Sequence, residues 1–162
     1  NKLFNYFWSV LHNLRKLRHL KMIVPKSVPA LHLEPLRSVQ TFQTKIKSQM
    51  EVFPILLSRL PNISELDVFA TNNYDRKIAE DTYYDKVVSV IIKGLVKKVV
   101  QLKVLNMTFD PRRDASKTVS RDTVKNFIRM LKTNGKMQQL EIISFNYCVF
   151  NESDLIEIVT AI

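Results

Sequence analysis

The residue types that most often carry catalysis or bind metals are few in this chain, and they are not spaced for either task. His12, His19 and His32 lack cysteine or acidic neighbours at the spacing of a zinc site. Cys148 is the one cysteine and cannot form an internal disulfide. The acidic pair at 80–81 precedes a helical pattern, where carboxylates favour the helix N-terminus. We therefore predict no catalytic residue, no metal site, no cofactor and no enzymatic activity.

Positive charge is the chemical property in largest excess. The chain contains 25 Lys and Arg against 15 Asp and Glu, a formal net charge of +10. Such an excess favours acidic partners such as nucleic acid, a phosphorylated protein or an anionic surface. Its densest part is "DPRRDASKTVSRD", in which Arg112, Arg113, Lys117 and Arg121 form what we call the basic patch. Two interpretations stay open for this patch: a solvated surface, or a docking site for an acidic partner.

Composition indicates an ordinary soluble domain rather than a membrane or secreted protein. Hydrophobic residues make up 46% and charged residues 25% of the 162 positions, which suits a single globular domain over residues 1–162. No apolar run reaches the roughly 18 to 20 residues of a membrane span. Two glycines in the whole chain argue against a glycine-rich phosphate loop. With a single cysteine as well, we expect a cytoplasmic or nuclear setting and no membrane partner.

A repeated spacing of apolar residues predicts the elements that position these side chains. In "LPNISELDVFA", apolar residues recur at steps of three, three and two, as expected where a chain turns into a short buried strand. The stretches "LRKLRHLKM", "VVQLKVLNM" and "MQQLEIISF" repeat this spacing. The copies are Leu14-Leu17-Leu20-Met22, Leu60-Ile63-Leu66-Val68, Val99-Leu102-Leu105-Met107 and Met137-Leu140-Ile143-Phe145. Equivalent residues such as Leu66, Leu105 and Ile143 should therefore lie buried in adjacent parallel strands.

Between the copies, apolar residues recur at steps of three and four, which is the spacing of a helix. Helices are predicted over 84–95, over 121–133 between the N-cap Ser120 and Asn134-Gly135, and from Leu155 onward. Two further helices are predicted from Phe4, Phe7, Val10 and Leu11, and from Phe42, Ile46, Met50, Phe53 and Leu57. The segment "VPKSVPALHLEPLRS" contains three prolines and is predicted to be a rigid irregular connector, which would explain the wider first interval between copies.

These units resemble leucine-rich repeats, in particular the ribonuclease-inhibitor-like branch that includes F-box leucine-rich-repeat proteins. "LPNISELDVFA" is similar to the L-x-x-L-x-L core, and "LEIISFNYC" resembles its cysteine-ending variant, in which Cys148 would fill a buried turn. The resemblance implies an α/β solenoid of about four irregular repeats, with short parallel strands on its concave face and helices on its convex face. The chain starts on an aromatic helix and stops within a pattern, so we expect either a fragment of a longer solenoid or an end-to-end contact with another chain.

In leucine-rich repeats, residues flanking the core positions line the concave face and contact the partner. By resemblance, the candidate contact residues are His19, Lys21, Glu65, Asp67, Phe69, Asn106, Thr108, Ser144 and Asn146. The function implied is a protein-protein interaction module, recognising substrates for an F-box-type ubiquitin ligase. Its partners would be an acidic or phosphorylated protein, and the ligase linker protein if an F-box lies upstream. The alternative is a subunit of a nucleic-acid-associated or chromatin complex that uses the basic helix and loop surface.

Overall fold

In a computed structural model of α/β class, the described part of the chain forms five short strands and five helices that alternate irregularly. The structure describes residues 2–25, 33–47, 50–71, 80–98, 101–110, 118–133, 137–147 and 149–161. The strands are β1 (His19–Ile23), β2 (Thr41–Ile46), β3 (Glu65–Ala70), β4 (Val104–Phe109) and β5 (Ile142–Asn146). The helices are α1 (Lys2–Asn13), α2 (Val52–Leu57), α3 (Glu80–Lys98), α4 (Arg121–Thr133) and α5 (Glu152–Val159). None of the helices in these ranges is long and apolar enough to cross a membrane.

All five strands are parallel and follow one another across a single sheet in the order β1-β2-β3-β4-β5. Their register places Leu20, Phe42, Leu66, Leu105 and Ile143 side by side. Leu66 and Leu105 are fully buried and Ile143 is partly buried. The prediction that Leu66, Leu105 and Ile143 occupy equivalent positions in adjacent parallel strands is therefore confirmed, but Ile143 is less buried than predicted.

The two faces of the sheet differ because side chains alternate along each strand. On the face that we call the closed face, strand residues join the helices in one hydrophobic core. The ring of Tyr84 in α3 lies 5.9 Å from that of Phe109 in β4, and Phe127 in α4 lies 6.2 Å from Phe145 in β5. On the other face, the open face, side chains are half-buried or exposed. The helices that contact the core therefore cover only the closed face.

The predicted helix from Phe42 to Leu57 is wrong in its first half. Phe42 and Ile46 lie on β2, and the helix α2 includes only Val52–Leu57. A spacing of four residues fits one turn of a helix, but it also fits two alternations of a strand. The described residues therefore form five strands where the sequence predicted four. The wide interval between the first two copies contains a complete additional strand as well as the connector, whose described part (33–38) is irregular.

The other helices agree with their sequence signals in most respects. Ser120 caps α4, since the Thr123 amide donates to its hydroxyl oxygen at 3.4 Å, and Asn134-Gly135 lies outside the described residues. In α5 the Asp154 amide donates to the Asn151 side chain at 2.9 Å. In α1 the packing differs from expectation. Trp8 and Leu11 are buried, but Phe7 and Val10 are 43% and 41% exposed, so the core contact is rotated from the predicted stripe.

Candidate binding face of the sheet

Three rows of outward-facing side chains cross the open face, because the five strands are parallel and in register. The first row is His19, Thr41, Glu65, Val104 and Ile142. The second row is Lys21, Gln43, Asp67, Asn106 and Ser144. The third row is Ile23, Lys45, Phe69, Thr108 and Asn146. All nine candidate contact residues named from the sequence lie in these rows.

Sequence reasoning missed the β2 members of the rows, namely Thr41, Gln43 and Lys45. They were missed because the strand itself was read as a helix. The signal that could have identified them is the alternation of these residues with Phe42, Thr44 and Ile46, all of which are buried. Strict alternation over six residues is the spacing of a half-buried strand.

The chemistry of the open face changes from strand to strand. Cationic Lys21 and Lys45 lie on β1 and β2, acidic Glu65 and Asp67 lie on β3, and β4 and β5 add mostly neutral polar groups. On this face, two side-chain hydrogen bonds between described residues link neighbouring strands. Thr41 Oγ1 donates to Glu65 Oε2 at 3.1 Å, and Asn146 Nδ2 donates to Thr108 Oγ1 at 3.2 Å. This surface therefore offers both signs of charge and both donors and acceptors to a partner.

A shallow depression of about 620 Å³ lies over the ends of β1 to β4 on this face. Its lining combines apolar Ile23 and Phe69 with charged Lys21, Lys45 and Asp67. The Lys45 ammonium lies 5.1 Å from the centre of the Phe69 ring, within the range of a cation–π contact. Ile23 is 55% exposed. The depression can therefore bury an apolar side chain and pair with a charged neighbour.

The basic patch is only partly described, because Arg112, Arg113 and Lys117 lie outside the described residues. Arg121, at the start of α4, forms ion pairs with Asp154 and Glu157 of α5. Hydrogen bonds to Glu157 and Asp154 raise the pKa of Arg121 above its ordinary value. The Asp154 side chain is 1% exposed, so this ion pair lies at the edge of the protein interior. Arg121 therefore links two helices of the fold.

Those residues first considered for chemistry that the structure describes are not brought together. His12 and His19 are exposed, and His32 and Cys148 lie outside the described residues. The pair Glu80–Asp81 begins α3, as its position before a helical pattern predicted. Among the described residues, no group of three or more His, Cys, Asp or Glu could hold a metal ion.

Comparisons with protein-family models, with curated proteins and with solved structures found no match for this chain.

Proposed function

We propose that this chain is a solenoid of the leucine-rich-repeat type and that its open sheet face binds a protein partner. The observation that carries the proposal is a parallel sheet with one face that the described helices leave uncovered. Parallel sheets almost always have both faces covered, whereas here the rows led by His19, Lys21 and Ile23 face outward. A partner laid across these rows would supply the missing cover.

The composition of the open face favours a protein over a nucleic acid. A phosphate backbone is held by Lys and Arg along its whole path, but the central strand β3 presents Glu65 and Asp67. Ile23 and Ile142 are 55% and 52% exposed, and apolar side chains among mixed charges suit a protein surface. Arg121, from the basic patch, is already paired with two carboxylates. We therefore propose a protein partner, and the crosslinking test below also detects binding to nucleic acid.

The finer role that we propose is substrate recognition for an F-box-type ubiquitin ligase. Two observations support this role. The repeated spacing of apolar residues resembles that of F-box leucine-rich-repeat proteins, and the five strands follow one another in register, as such repeats would need. The ligase linker protein would bind an F-box segment in the full-length protein. Copurification of that linker with the full-length protein supports the role, and its absence from the complex counts against it.

Photo-crosslinking from two matched positions tests the binding face directly. A photoreactive residue replaces Asn106 on the open face, or Asn126 on the exposed side of α4 as the control. In extract of the source cells, we expect protein adducts from position 106 and few from position 126. Adducts from position 106 should also disappear in the double variant Asp67→Lys/Phe69→Ala, provided that its circular dichroism spectrum is unchanged.

Two results would contradict this proposal. Equal adduct yields at the two positions would mean that the open face is not the contact surface. Adducts that are destroyed by nuclease rather than by protease would identify nucleic acid as the partner.

A further inference from the structure

A second pocket lies where the end of α1 meets the segment that leads into β2. Its volume is about 450 Å³. Four basic side chains line it, from three places in the chain: His12 and Arg15 near the end of α1, Arg18 just before β1, and Arg37 before β2. Glu34 and Ser38 complete its polar lining. None of these lining residues belongs to the rows of the open face or to the described part of the basic patch, Arg121.

Hydrogen bonds tie the walls of this arginine pocket together. The Trp8 indole nitrogen donates to the Glu34 carbonyl at 2.8 Å. The Ser38 hydroxyl donates to the Leu14 carbonyl at 3.3 Å, and Arg18 Nη1 donates to the Ser38 carbonyl at 3.3 Å. The Asn62 side-chain amide donates to the Arg37 carbonyl at 2.7 Å and so fixes the backbone at Arg37. The backbone that carries the cations is therefore fixed before any ligand arrives.

Among the described residues, the pocket holds more cations than carboxylates. Across the described ranges, no ion pair engages Arg15, Arg18 or Arg37. Glu34 is the single carboxylate among the described lining residues. By contrast, Arg121 is paired with carboxylates of α5. Like charges gathered at one place repel one another, so an anion bound among them would relieve this repulsion.

We propose that the arginine pocket binds a phosphate monoester dianion carried on a serine or threonine side chain of a partner protein. Guanidinium groups donate paired hydrogen bonds that match phosphate oxygens, and a phosphoryl group offers three acceptor oxygens and close to two negative charges. The charge is confined to one pocket rather than spread along a groove, which suits a single phosphate better than a nucleic-acid backbone. The proposal does not require the open face to bind anything.

Fluorescence anisotropy with a labelled phosphoserine peptide of otherwise neutral sequence tests this site at about 0.15 M salt, where distant surface charges are screened. The unphosphorylated peptide is the ligand control. We expect the wild type to bind only the phosphorylated form. Arg15→Gln and Arg37→Gln should each weaken binding at least about tenfold, as expected for losing a charge-assisted hydrogen bond. Arg129→Gln removes the same charge from the exposed side of α4 and should change binding less than about twofold.

A thermal melt provides the fold control and an independent measure of binding. Without ligand, the melting temperatures of the arginine variants should stay within a few degrees of the wild type, since these side chains are exposed. Excess phosphopeptide should raise the melting temperature of the wild type and of Arg129→Gln only.

Three results would overturn the proposal. The first is equal binding of the two peptides. The second is an equal loss in Arg129→Gln, which would indicate a response to net charge alone. The third is stronger competition by single-stranded RNA than by unlabelled phosphopeptide, which would assign the pocket to nucleic acid.

Discussion

At the residue scale, three arginines in the described part of the chain differ in their neighbours. Arg121 belongs to the densest run of cations in the sequence, yet the fold places Asp154 and Glu157 against it. Arg15 and Arg37 belong to less conspicuous stretches, and they line one pocket whose described residues include a single carboxylate, Glu34. Charge density along the chain therefore predicted neither the pairing of Arg121 nor the shared pocket of Arg15 and Arg37.

Tyr83 gives the clearest pH dependence at this scale. Burial raises the pKa of its hydroxyl above the ordinary value of about 10, and the nearby charges of Tyr84 and Asp110 raise it further. The folded state therefore favours the neutral hydroxyl. Its contribution to the free energy of unfolding is complete below pH 10, where unfolded tyrosine begins to ionise, and is lost as the pH rises toward the folded pKa.

We predict that the free energy of unfolding falls above pH 10 by up to about 1.4 kcal/mol per pH unit because of Tyr83. In Tyr83→Phe this part of the decline should vanish. At neutral pH the variant should lose about 1 kcal/mol or less, for the hydrogen bond to the Ile46 carbonyl at 3.4 Å. Urea denaturation between pH 7 and 11.5 measures both effects. Tyr6→Phe, at a side chain that is 70% exposed, should retain the wild-type decline; an unchanged decline in Tyr83→Phe would contradict the assignment.

At the element scale, the close approach of α2 and α3 depends on Gly94. A Cβ atom at this position would lie 2.6 Å from Leu57 Cδ1 and 3.6 Å from Phe53 Cε1. Leu57 and Phe53 are fully buried, so Leu57 can turn away only by disturbing its neighbours. In an exposed helix, alanine would be favoured over glycine by about 1 kcal/mol. Here the steric term should exceed that preference.

We predict that Gly94→Ala destabilises the protein by about 1–3 kcal/mol, the usual cost of an overpacked core. Leu57→Val removes the atom in conflict, so the double variant should be more stable than the sum of the two single changes implies. Denaturant unfolding of the four proteins of this cycle measures the coupling. Additive effects, or a more stable Gly94→Ala variant, would mean that the helices separate easily.

At the scale of the whole molecule, burial decreases toward the last strand of the sheet. Leu66 on β3 has paired strands on both sides and is fully buried. Ile143 holds the equivalent position on β5, which pairs only with β4 among the described strands, and it is partly buried. Equivalent positions of the repeat should therefore contribute unequally to stability.

We predict a loss of about 3 kcal/mol for Leu66→Ala and of about 1–2 kcal/mol for Ile143→Ala, because a cavity costs most where its surroundings cannot collapse. Urea denaturation measures both losses. Ile142→Ala is a suitable control, since this neighbouring side chain points to the open face and is 52% exposed, and its effect should be within about 0.5 kcal/mol. A larger loss for Ile143→Ala than for Leu66→Ala would mean that the last strand is as well enclosed as the central one.

The sequence by itself determined four of the five strands and which of their side chains face outward. The alternation of Leu66 and Val68 with Glu65, Asp67 and Phe69 is local and has one interpretation, because a shift of one residue would turn the apolar side chains to solvent. The recurrence of that spacing was enough to predict adjacent parallel strands and the candidate contact residues on them.

Only the tertiary structure determined that residues 41–46 form the strand β2 and which charged side chains form pairs. Phe42 and Ile46 satisfy both helical and strand spacing, and the choice depends on hydrogen bonds to β1 and β3, which are distant in sequence. Likewise, whether an arginine is neutralised depends on carboxylates that the fold brings near: Asp154 reaches Arg121, whereas Arg37 meets other cations. Local spacing can specify an element, but contacts between distant segments decide which neighbours its side chains meet.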